Sequence, residues 1–224
     1  MENLQIRNLL NLNETISFKL FEKFVYPWEV LPYISDFVIN LGNSLGETKF
    51  DKIGENIWVS KSAKISSNSS ISGPCIIDSN SEIRFGAFIR GSVIIGKNCV
   101  VGNSTELKNC ILFNNVQTPH FNYIGDSILG FKSHIGAGVI LSNVKSDKTN
   151  VSVKLSGKKI ETNLRKFGAI LGDHVEIGCN SVLNPGSIIG KESTIYPLSM
   201  FRGFLDSRKI FKSKNDVVDK VIKR

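Results

Sequence analysis

Two cations stand out in this sequence because of their spacing. Arg90 and Lys108 are eighteen residues apart, and each directly follows an aliphatic residue, Ile89 or Leu107. If the chain returns to the same position every eighteen residues, the two cations stack about 4.8 Å apart and repel each other unless an anion lies between them. A planar guanidinium and an ammonium at that spacing could hold a phosphate group. The alternative, a pair of splayed and solvated surface cations, is left open by the spacing alone.

A histidine lies a short distance further along, in the stretch TPHFNYIGD, which interrupts the surrounding hydrophobic pattern. His120, beside a phosphate-binding pair, could act as a general base towards an amine or a hydroxyl group. A lone histidine in a loop is more often structural. Tyr123 could hydrogen-bond a sugar hydroxyl or pack its ring, and Asp126 is expected to cap or turn the loop. The stretch is therefore the candidate catalytic segment.

A six-residue repeat supplies the elements that must position these side chains. Every sixth residue from Ile53 to Leu107 is aliphatic, and a series of mostly small residues, including Cys75 and Cys99, runs two positions before it. A solenoid of hexapeptide repeats has this period, whereas a helix or a simple strand does not. We expect the aliphatic residues to point inward, with the small residues beside them. The two cysteines are therefore interpreted as core residues.

The repeat changes phase after Leu107. It returns at Leu129, Ile135 and Leu141, and again from Leu171 to Ile195. We therefore expect a loop to leave the coil between Leu107 and Leu129, carrying His120. Residues 150–167 lack the inward pattern, and the runs VSVKL and KKIET flank a Ser-Gly pair, which predicts an extruded hairpin arm.

The repeat also divides the chain. Residues 1–49 mix aromatic and apolar residues at helical spacing and are predicted to form a helical cap over the open end of the solenoid, which spans residues 50–206. The basic tail, residues 207–224, is predicted to be a solvated helix.

Composition narrows the classes of function. The chain has 224 residues and a net charge of +8, which favours anionic partners. It has no apolar run of membrane length and does not open like a signal peptide, so we expect a cytoplasmic protein without membrane contact. Its four cysteines lack zinc spacing, so we expect reduced thiols and no metal site. Nucleic-acid binding is disfavoured because no binding motif is present and aromatic residues are not interleaved with the basic runs.

The same residues resemble a known family. HFNYIGD, followed by SHIGAG and ILSN, resembles the acetyltransferase half of the bacterial bifunctional enzyme that makes UDP-N-acetylglucosamine. KLSGKKI and the later RKFGAILGDHV resemble the C-terminal domain of archaeal bifunctional sugar-phosphate nucleotidylyltransferases. The resemblance runs from Ile77 to Phe201 and implies an all-β solenoid, a left-handed parallel β-helix with three six-residue sides per coil. It also implies a homotrimer with active sites between neighbouring copies.

The resemblance further implies roles for individual residues. Arg90 and Lys108 would hold a sugar 1-phosphate, His120 would deprotonate the amine, Tyr123 and Asn143 would contact the sugar, the Ala137 N–H would stabilise the oxyanion, and Cys179 and Pro197 would face acetyl-CoA. Three positions depart from the family pattern. His134 replaces an asparagine that contacts the sugar, Cys179 replaces a serine, and Thr149 replaces a lysine.

These observations predict acetyl-CoA-dependent N-acetylation of an amino-sugar 1-phosphate, such as glucosamine 1-phosphate, by direct attack. One alternative is a module that binds a sugar phosphate or sugar nucleotide but has lost catalysis. Another is a component of a nucleotidylyltransferase system, because stand-alone proteins with a similar YPWE-containing N-terminal segment are often labelled UDP-N-acetylglucosamine pyrophosphorylases. Uridylyl transfer by this chain itself is disfavoured, since the first fifty residues contain no Gly-rich loop and are too few for the α/β domain required.

Overall fold

The computed structural model describes residues 1–155 and 157–221 as a solenoid of parallel strands flanked by short helices. The α-helices are α1 Ile6–Leu9, α2 Phe18–Phe21 and α3 Ile34–Asn43, and 3-10 turns lie at Glu2–Leu4, Leu12–Glu14 and Pro27–Tyr33. The strands are β1 Phe50–Gly54, β2 Ile57–Ser60, β3 Lys64–Ile65, β4 Ser70–Ile71, β5 Cys75–Ile77, β6 Glu82–Ile83, β7 Phe88–Ile89, β8 Val93–Ile95, β9 Val100–Asn103, β10 Glu106–Leu112, β11 Gln117–His120, β12 Tyr123–Leu129, β13 His134–Ile135, β14 Ile140–Leu141, β15 Val151–Leu155, β16 Lys158–Leu164, β17 Ala169–Leu171, β18 Glu176–Ile177, β19 Val182–Leu183, β20 Ser187–Ile189, β21 Thr194–Ile195, β22 Met200–Phe201, β23 Phe204–Leu205, β24 Lys209–Ser213 and β25 Asp216–Asp219. Within the described residues, no helix is long and apolar enough to cross a membrane.

The parallel strands stack into three faces, which the chain visits in turn. The first face contains β2, β5, β8, the second halves of β10 and β12, then β17, β20 and β23. The second face contains β3, β6, β9, β11, β13, β18, β21 and β24. The third face contains β4, β7, the first halves of β10 and β12, then β14, β19 and β22. The predicted three-sided parallel β-helix is confirmed.

The predicted inward series fills the centre of the solenoid. From Ile77 to Leu107 and again from Leu129 to Ile195, its members are at most 2% exposed. The pKa of Cys75 and of Cys99 is raised to about 12, chiefly because burial disfavours the thiolate. The prediction for Ile53 is wrong: its side chain is 58% exposed, because β1 runs antiparallel to β2 outside the solenoid.

The expected loop at residues 118–126 does not leave the coil, and that prediction is wrong. The phase shift arises because two successive coils have seventeen residues instead of eighteen, which pairs Val93 with Cys110 and then Cys110 with Ser127. Each of these coils is one residue shorter at the corner between the third and first faces, where β10 and β12 run through the corner without a break. His120 therefore belongs to the solenoid itself, in β11, and pairs with Asn103.

The N-terminal segment, residues 1–49, lies along the first face and does not cap an open end as predicted. Asn3 Nδ2 donates to Asp206 Oδ1 at 3.0 Å near one end of the solenoid, while a Cβ on Gly42 would lie 2.3 Å from the ring of Trp58 near the other end. Beneath the segment runs a row of outward-facing isoleucines, each fully buried: Ile76, Ile94, Ile111, Ile128, Ile170 and Ile188. The first face is therefore buried on both of its sides.

The arm and the tail form hairpins that depart from the stacked coils. β15 and β16 form the predicted arm, but Val151 and Val153 are almost fully buried and β15 contacts β23, so the arm packs against the solenoid. The predicted helical tail is wrong: β24 and β25 form an antiparallel pair that ends at Asp219. Residues 222–224 of that prediction lie outside the described residues.

Candidate functional site

Arg90 and Lys108 occupy the corner between the third and first faces, called here the third–first corner. The pairing of Ile89 with Leu107 places them on neighbouring coils, and the Arg90 N–H donates to the Leu107 carbonyl at 2.8 Å. Each side chain has a carboxylate partner. Arg90 Nη1 lies 2.7 Å from Glu106 Oε1, and Lys108 Nζ lies 3.5 Å from Asp126 Oδ2. The two residues lie on neighbouring coils as predicted, and their charges are offset by two carboxylates that the sequence analysis did not assign to them.

Asp126 lies at the same corner and organises it. Its carboxylate accepts hydrogen bonds from Asn109 Nδ2 at 2.9 Å and from Asn143 Nδ2, besides its contact with Lys108. The residue is 4% exposed and has a positive φ of 47°, which Asp tolerates better than most residues. The backbone of Asp126 fits the expected turn. Its side chain also binds residues of two neighbouring coils, which the sequence analysis did not predict.

Tyr123 and Asn143 converge above Gly125. A Cβ at Gly125 would lie 2.6 Å from Tyr123 Oη and 2.7 Å from Asn143 Nδ2, so only glycine lets both polar groups meet there. Tyr123 points outward from the third face and pairs in register with Glu106. Its pKa is raised, first by partial burial and then by the carboxylates of Glu106 and Asp126. These polar groups and the two cations form one cluster.

His120 lies at the opposite edge of the third face, at the corner with the second face, called here the second–third corner. Its carbonyl accepts the Gly138 N–H at 3.1 Å, while its exposed imidazole makes no hydrogen bond within the described residues. The pairing of Gln117 with His134 sets a seventeen-residue step, so Ala137 follows His120 one coil later. The Ala137 N–H has no acceptor in the described part of the chain, as is also true at Phe85 and Cys179 on the same corner. The corner thus carries an exposed imidazole in the same column as backbone N–H groups that have no acceptor among the described residues.

Cys179 and Pro197 continue the column that contains His120 and Ala137. The Asn180 N–H donates to the Ala137 carbonyl at 2.8 Å, and the Leu198 N–H donates to the Cys179 carbonyl at 2.9 Å. Both predicted coenzyme-facing residues are exposed. The structure therefore aligns them with His120 along one edge of the solenoid.

His134 is the predicted site residue that the structure does not bring to the others. It faces outward from the second face, and its Nδ1 lies 2.8 Å from Glu176 Oε2. Tyr123 lies around the corner on the third face, and Asn143 lies at the far edge of that face. Within one chain, His134 is therefore separate from the polar cluster. Among the described residues, no three His, Cys, Asp or Glu side chains are grouped as metal ligands.

The third face is an open surface between the polar cluster at the third–first corner and His120 at the second–third corner. His120 and Gly125 are five residues apart, which corresponds to at most about 16 Å of extended chain. The Arg90 guanidinium lies 5.8 Å from the Phe88 ring centroid, over that face. Large apolar side chains stay exposed on this face and its edge with the second face: Phe85, Phe88, Phe121, Leu198 and Met200. These exposed apolar side chains recur on several coils in the same part of the solenoid.

Comparisons with known proteins agree with this architecture. The family model described as the GMPPB C-terminal domain matches residues 71–204, more than half of the chain. "Bifunctional protein GlmU" of Methanococcus maripaludis strain C5 is 36% identical over 132 residues, which are 59% of this chain and 32% of that protein. The "Bifunctional sugar-1-phosphate nucleotidylyltransferase/acetyltransferase" of Sulfurisphaera tokodaii is 34% identical over 111 residues, 50% of this chain and 28% of that protein.

The chain spans about a third of the length of these curated relatives. Among solved structures, the polySia specific acetyltransferase NeuO aligns with a TM-score of 0.48 and 16% identity, over 78% of this chain and 81% of that one. The family match covers the coils that carry the polar cluster, His120 and the arm, and it leaves out the N-terminal segment. The chain belongs to the family of the GMPPB C-terminal domain.

Proposed function

We propose that this protein transfers the acetyl group of acetyl-CoA to the amine of an amino-sugar 1-phosphate, with glucosamine 1-phosphate as the first candidate. The observation that carries the proposal is the arrangement of the third face, where Arg90 and Lys108 lie on neighbouring coils at one edge and His120, whose imidazole has no hydrogen bond within the described residues, lies at the other edge of the face that holds Tyr123. In such a sugar the phosphate and the amine are on adjacent carbon atoms. One substrate lying over Tyr123 would meet His120 and the cations together only if the cations extend over the third face, and Arg90 already lies over the Phe88 ring of that face.

The proposed reaction is a direct attack without an acyl-enzyme intermediate. His120 accepts a proton from the amine while the nitrogen attacks the thioester carbonyl carbon. The tetrahedral oxyanion accepts a hydrogen bond from the Ala137 N–H, a preorganised donor at the next coil. Collapse of this intermediate breaks the carbon–sulfur bond, and the CoA sulfur leaves as a thiolate that takes up the proton. No step requires a metal ion.

The column beyond His120 is the proposed path of acetyl-CoA. Cys179 and Pro197 are exposed on the same edge as Ala137, so the pantetheine chain can lie along it with the thioester next to the oxyanion donor. The two curated relatives described above carry the words GlmU and acetyltransferase in their names, which supports an acetyl donor.

A homotrimer completes the proposal. In one chain the site is an open floor rather than a pocket, and a second copy packed on the exposed apolar edge would cover it. Phe121 exposes 60% of its surface there with a positive φ of 50°, a conformation uncommon for a bulky residue. The equivalent corner positions Ser104, Gly138, Asn180 and Leu198 also have positive φ, so this backbone conformation belongs to the turn of the repeat.

The test is CoA release, followed with a thiol reagent, from acetyl-CoA and glucosamine 1-phosphate. We expect turnover by the wild-type protein, loss of turnover in His120→Asn, and full turnover in His174→Asn. His174 is a suitable control because it is also exposed and lies on another corner. A folded trimer that releases no CoA with any amino-sugar phosphate would refute the transferase proposal.

A binding module without catalysis is the second candidate. The observation that favours it is the pairing of both corner cations with carboxylates, because a cation that already has a partner binds an anion less strongly. Calorimetry that detects sugar-phosphate binding without turnover would establish this candidate in place of the first.

A further inference from the structure

The Asp126 carboxylate joins three successive coils beneath the third–first corner. Its Oδ1 accepts a hydrogen bond from Asn109 Nδ2 at 2.9 Å, on the preceding coil. Its Oδ2 contacts Lys108 Nζ, also on the preceding coil, and Asn143 Nδ2, on the following coil. We infer that Asp126 is a positioning residue that fixes Lys108 and Asn143 for the sugar phosphate. This inference rests on the proposed function of the site.

Asp126 orients the Asn143 amide. A carboxylate can only accept hydrogen bonds, so Asp126 turns the Asn143 NH2 group towards itself and leaves the amide oxygen as an acceptor for other groups. Asn143 adjoins Tyr123 Oη over Gly125, where the sugar is proposed to lie. The orientation of Asn143 towards a sugar hydroxyl is therefore set from beneath by Asp126.

Asp126 also restricts the position of Lys108. A lysine ammonium on a four-carbon stem is flexible, and holding it in one place costs conformational entropy when substrate binds. The nearby Asp126 carboxylate restricts Lys108 beforehand, and the Lys108 side chain is only 26% exposed. Asn109 anchors the carboxylate in turn, because its amide also donates to the Leu31 carbonyl of the N-terminal segment at 3.3 Å.

Electrostatics alone predicts the opposite effect. A buried carboxylate near a phosphate repels it, so replacing Asp126 with a neutral residue would tighten anion binding if charge were its whole contribution. Positioning predicts weaker binding, because Asp126→Asn removes the negative charge that holds Lys108 and leaves one acceptor oxygen where two oxygens now meet three donors. The sign of the change separates the two explanations.

Asp173 provides a matched control. It is also buried, lies at the corner between the first and second faces, pairs with Lys191 at 2.9 Å and accepts the Phe131 N–H at 2.9 Å. Asp173→Asn should lower the melting temperature much as Asp126→Asn does, because both substitutions break a buried ion pair, but it should leave sugar-phosphate binding unchanged.

The experiment measures glucosamine 1-phosphate binding by calorimetry, and kcat and KM by CoA release, in the full chain. For Asp126→Asn we expect Kd and KM to rise about ten-fold or more, as for loss of a hydrogen bond to a charged group, with kcat within a few-fold of wild type. Values for Asp126→Asn within two-fold of wild type, or tighter binding, would overturn the inference. If Asp126→Asn does not fold, Asn109→Ala takes its place and must weaken binding in the same direction.

The two proposals fail differently. If the wild type binds glucosamine 1-phosphate but releases no CoA, the transferase proposal fails and the Kd of Asp126→Asn still decides the positioning role. If the wild type is active and Asp126→Asn matches it, only the positioning role fails. If the wild type does not bind the sugar phosphate at all, both fail.

Discussion

Replacing Ile111 with alanine tests whether the N-terminal segment covers the first face in solution. Ile111 points outward from the middle of the buried isoleucine row, and its exposure of 0% depends on the segment above it. If the segment is in place, the substitution opens a cavity and should cost about 2–5 kcal/mol of unfolding free energy. If the segment were detached, the side chain would lie in water, and the same substitution should cost no more than about 0.5 kcal/mol.

Ile53 is the matched control for Ile111. It is an isoleucine in a strand of the same molecule, but its side chain is 58% exposed. Ile53→Ala should therefore leave the unfolding free energy within about 0.5 kcal/mol of wild type. The difference between the two variants isolates burial from the strand propensity that isoleucine and alanine do not share.

Guanidinium unfolding followed by tryptophan fluorescence suits this measurement. Trp28 and Trp58 are the chain's two tryptophans, and both are buried where the N-terminal segment meets the solenoid or its arm. Their emission therefore reports on the interface in question. A cost for Ile111→Ala below about 1 kcal/mol, or equal to that of Ile53→Ala, would refute the covering of the first face.

The remaining predictions concern the site and the thiols. His120→Asn should lower kcat by about 100- to 10,000-fold, the usual contribution of a general base, with a nearly unchanged KM; a loss confined to KM in the CoA-release assay would contradict this. Arg90→Gln should raise the KM for glucosamine 1-phosphate by about ten- to hundred-fold, because a hydrogen bond between charged groups contributes about 1.5–3 kcal/mol. Arg84→Gln is its control, since Arg84 pairs with Glu82 at similar exposure and should leave that KM unchanged. Ellman's reagent at pH 8 should label Cys179 in the native protein and all four cysteines after denaturation, because burial raises the pKa of the other three thiols; rapid labelling of all four without denaturant would contradict a closed core.

The repeat period predicted the solenoid and the neighbouring positions of Arg90 and Lys108. An inward aliphatic residue precedes each cation, and three six-residue sides return the chain to the same corner. Their carboxylate partners were missed, although the sequence held a signal for one of them. Glu106 stands two residues before Lys108 on the same strand and so shares its outward side. Asp126 could not have been placed in this way, because its position depends on the seventeen-residue step.

The seventeen-residue coils could not be separated from a loop by pattern alone. An aliphatic series that changes phase is compatible with an insertion that leaves the coil and with a deletion that shortens it. Only the pairing of β10 with β12 shows that the corner lost one residue. This difference matters for His120, because a histidine in a strand is held by two neighbouring coils.

The covered face and the tail had sequence signals that the six-residue period obscured. The triplets CII, VII, CIL, SIL, AIL and SII recur along the first face, and continuous apolar triplets indicate strands buried on both sides. In the tail, KIFKS and DVVD flank a short polar turn, which favours a hairpin over a helix. The excess of lysines in the tail led to the prediction of a solvated helix instead.

The three faces differ in which surface they leave exposed, and this difference limits how copies could assemble. The first face is occupied by the chain's own N-terminal segment, which lies outside the matched family region of residues 71–204. Many outward positions of the second face carry polar or charged side chains, among them Lys64, Glu82, Gln117, His134, Glu176 and Thr194. The third face and its edge with the second carry the exposed aromatic and aliphatic residues and also the proposed substrate floor. Closed assemblies bury their apolar surface, so the proposed contact between copies and the proposed acetyl-transfer site share this face, and substitutions that prevent assembly should also abolish turnover in an otherwise folded chain.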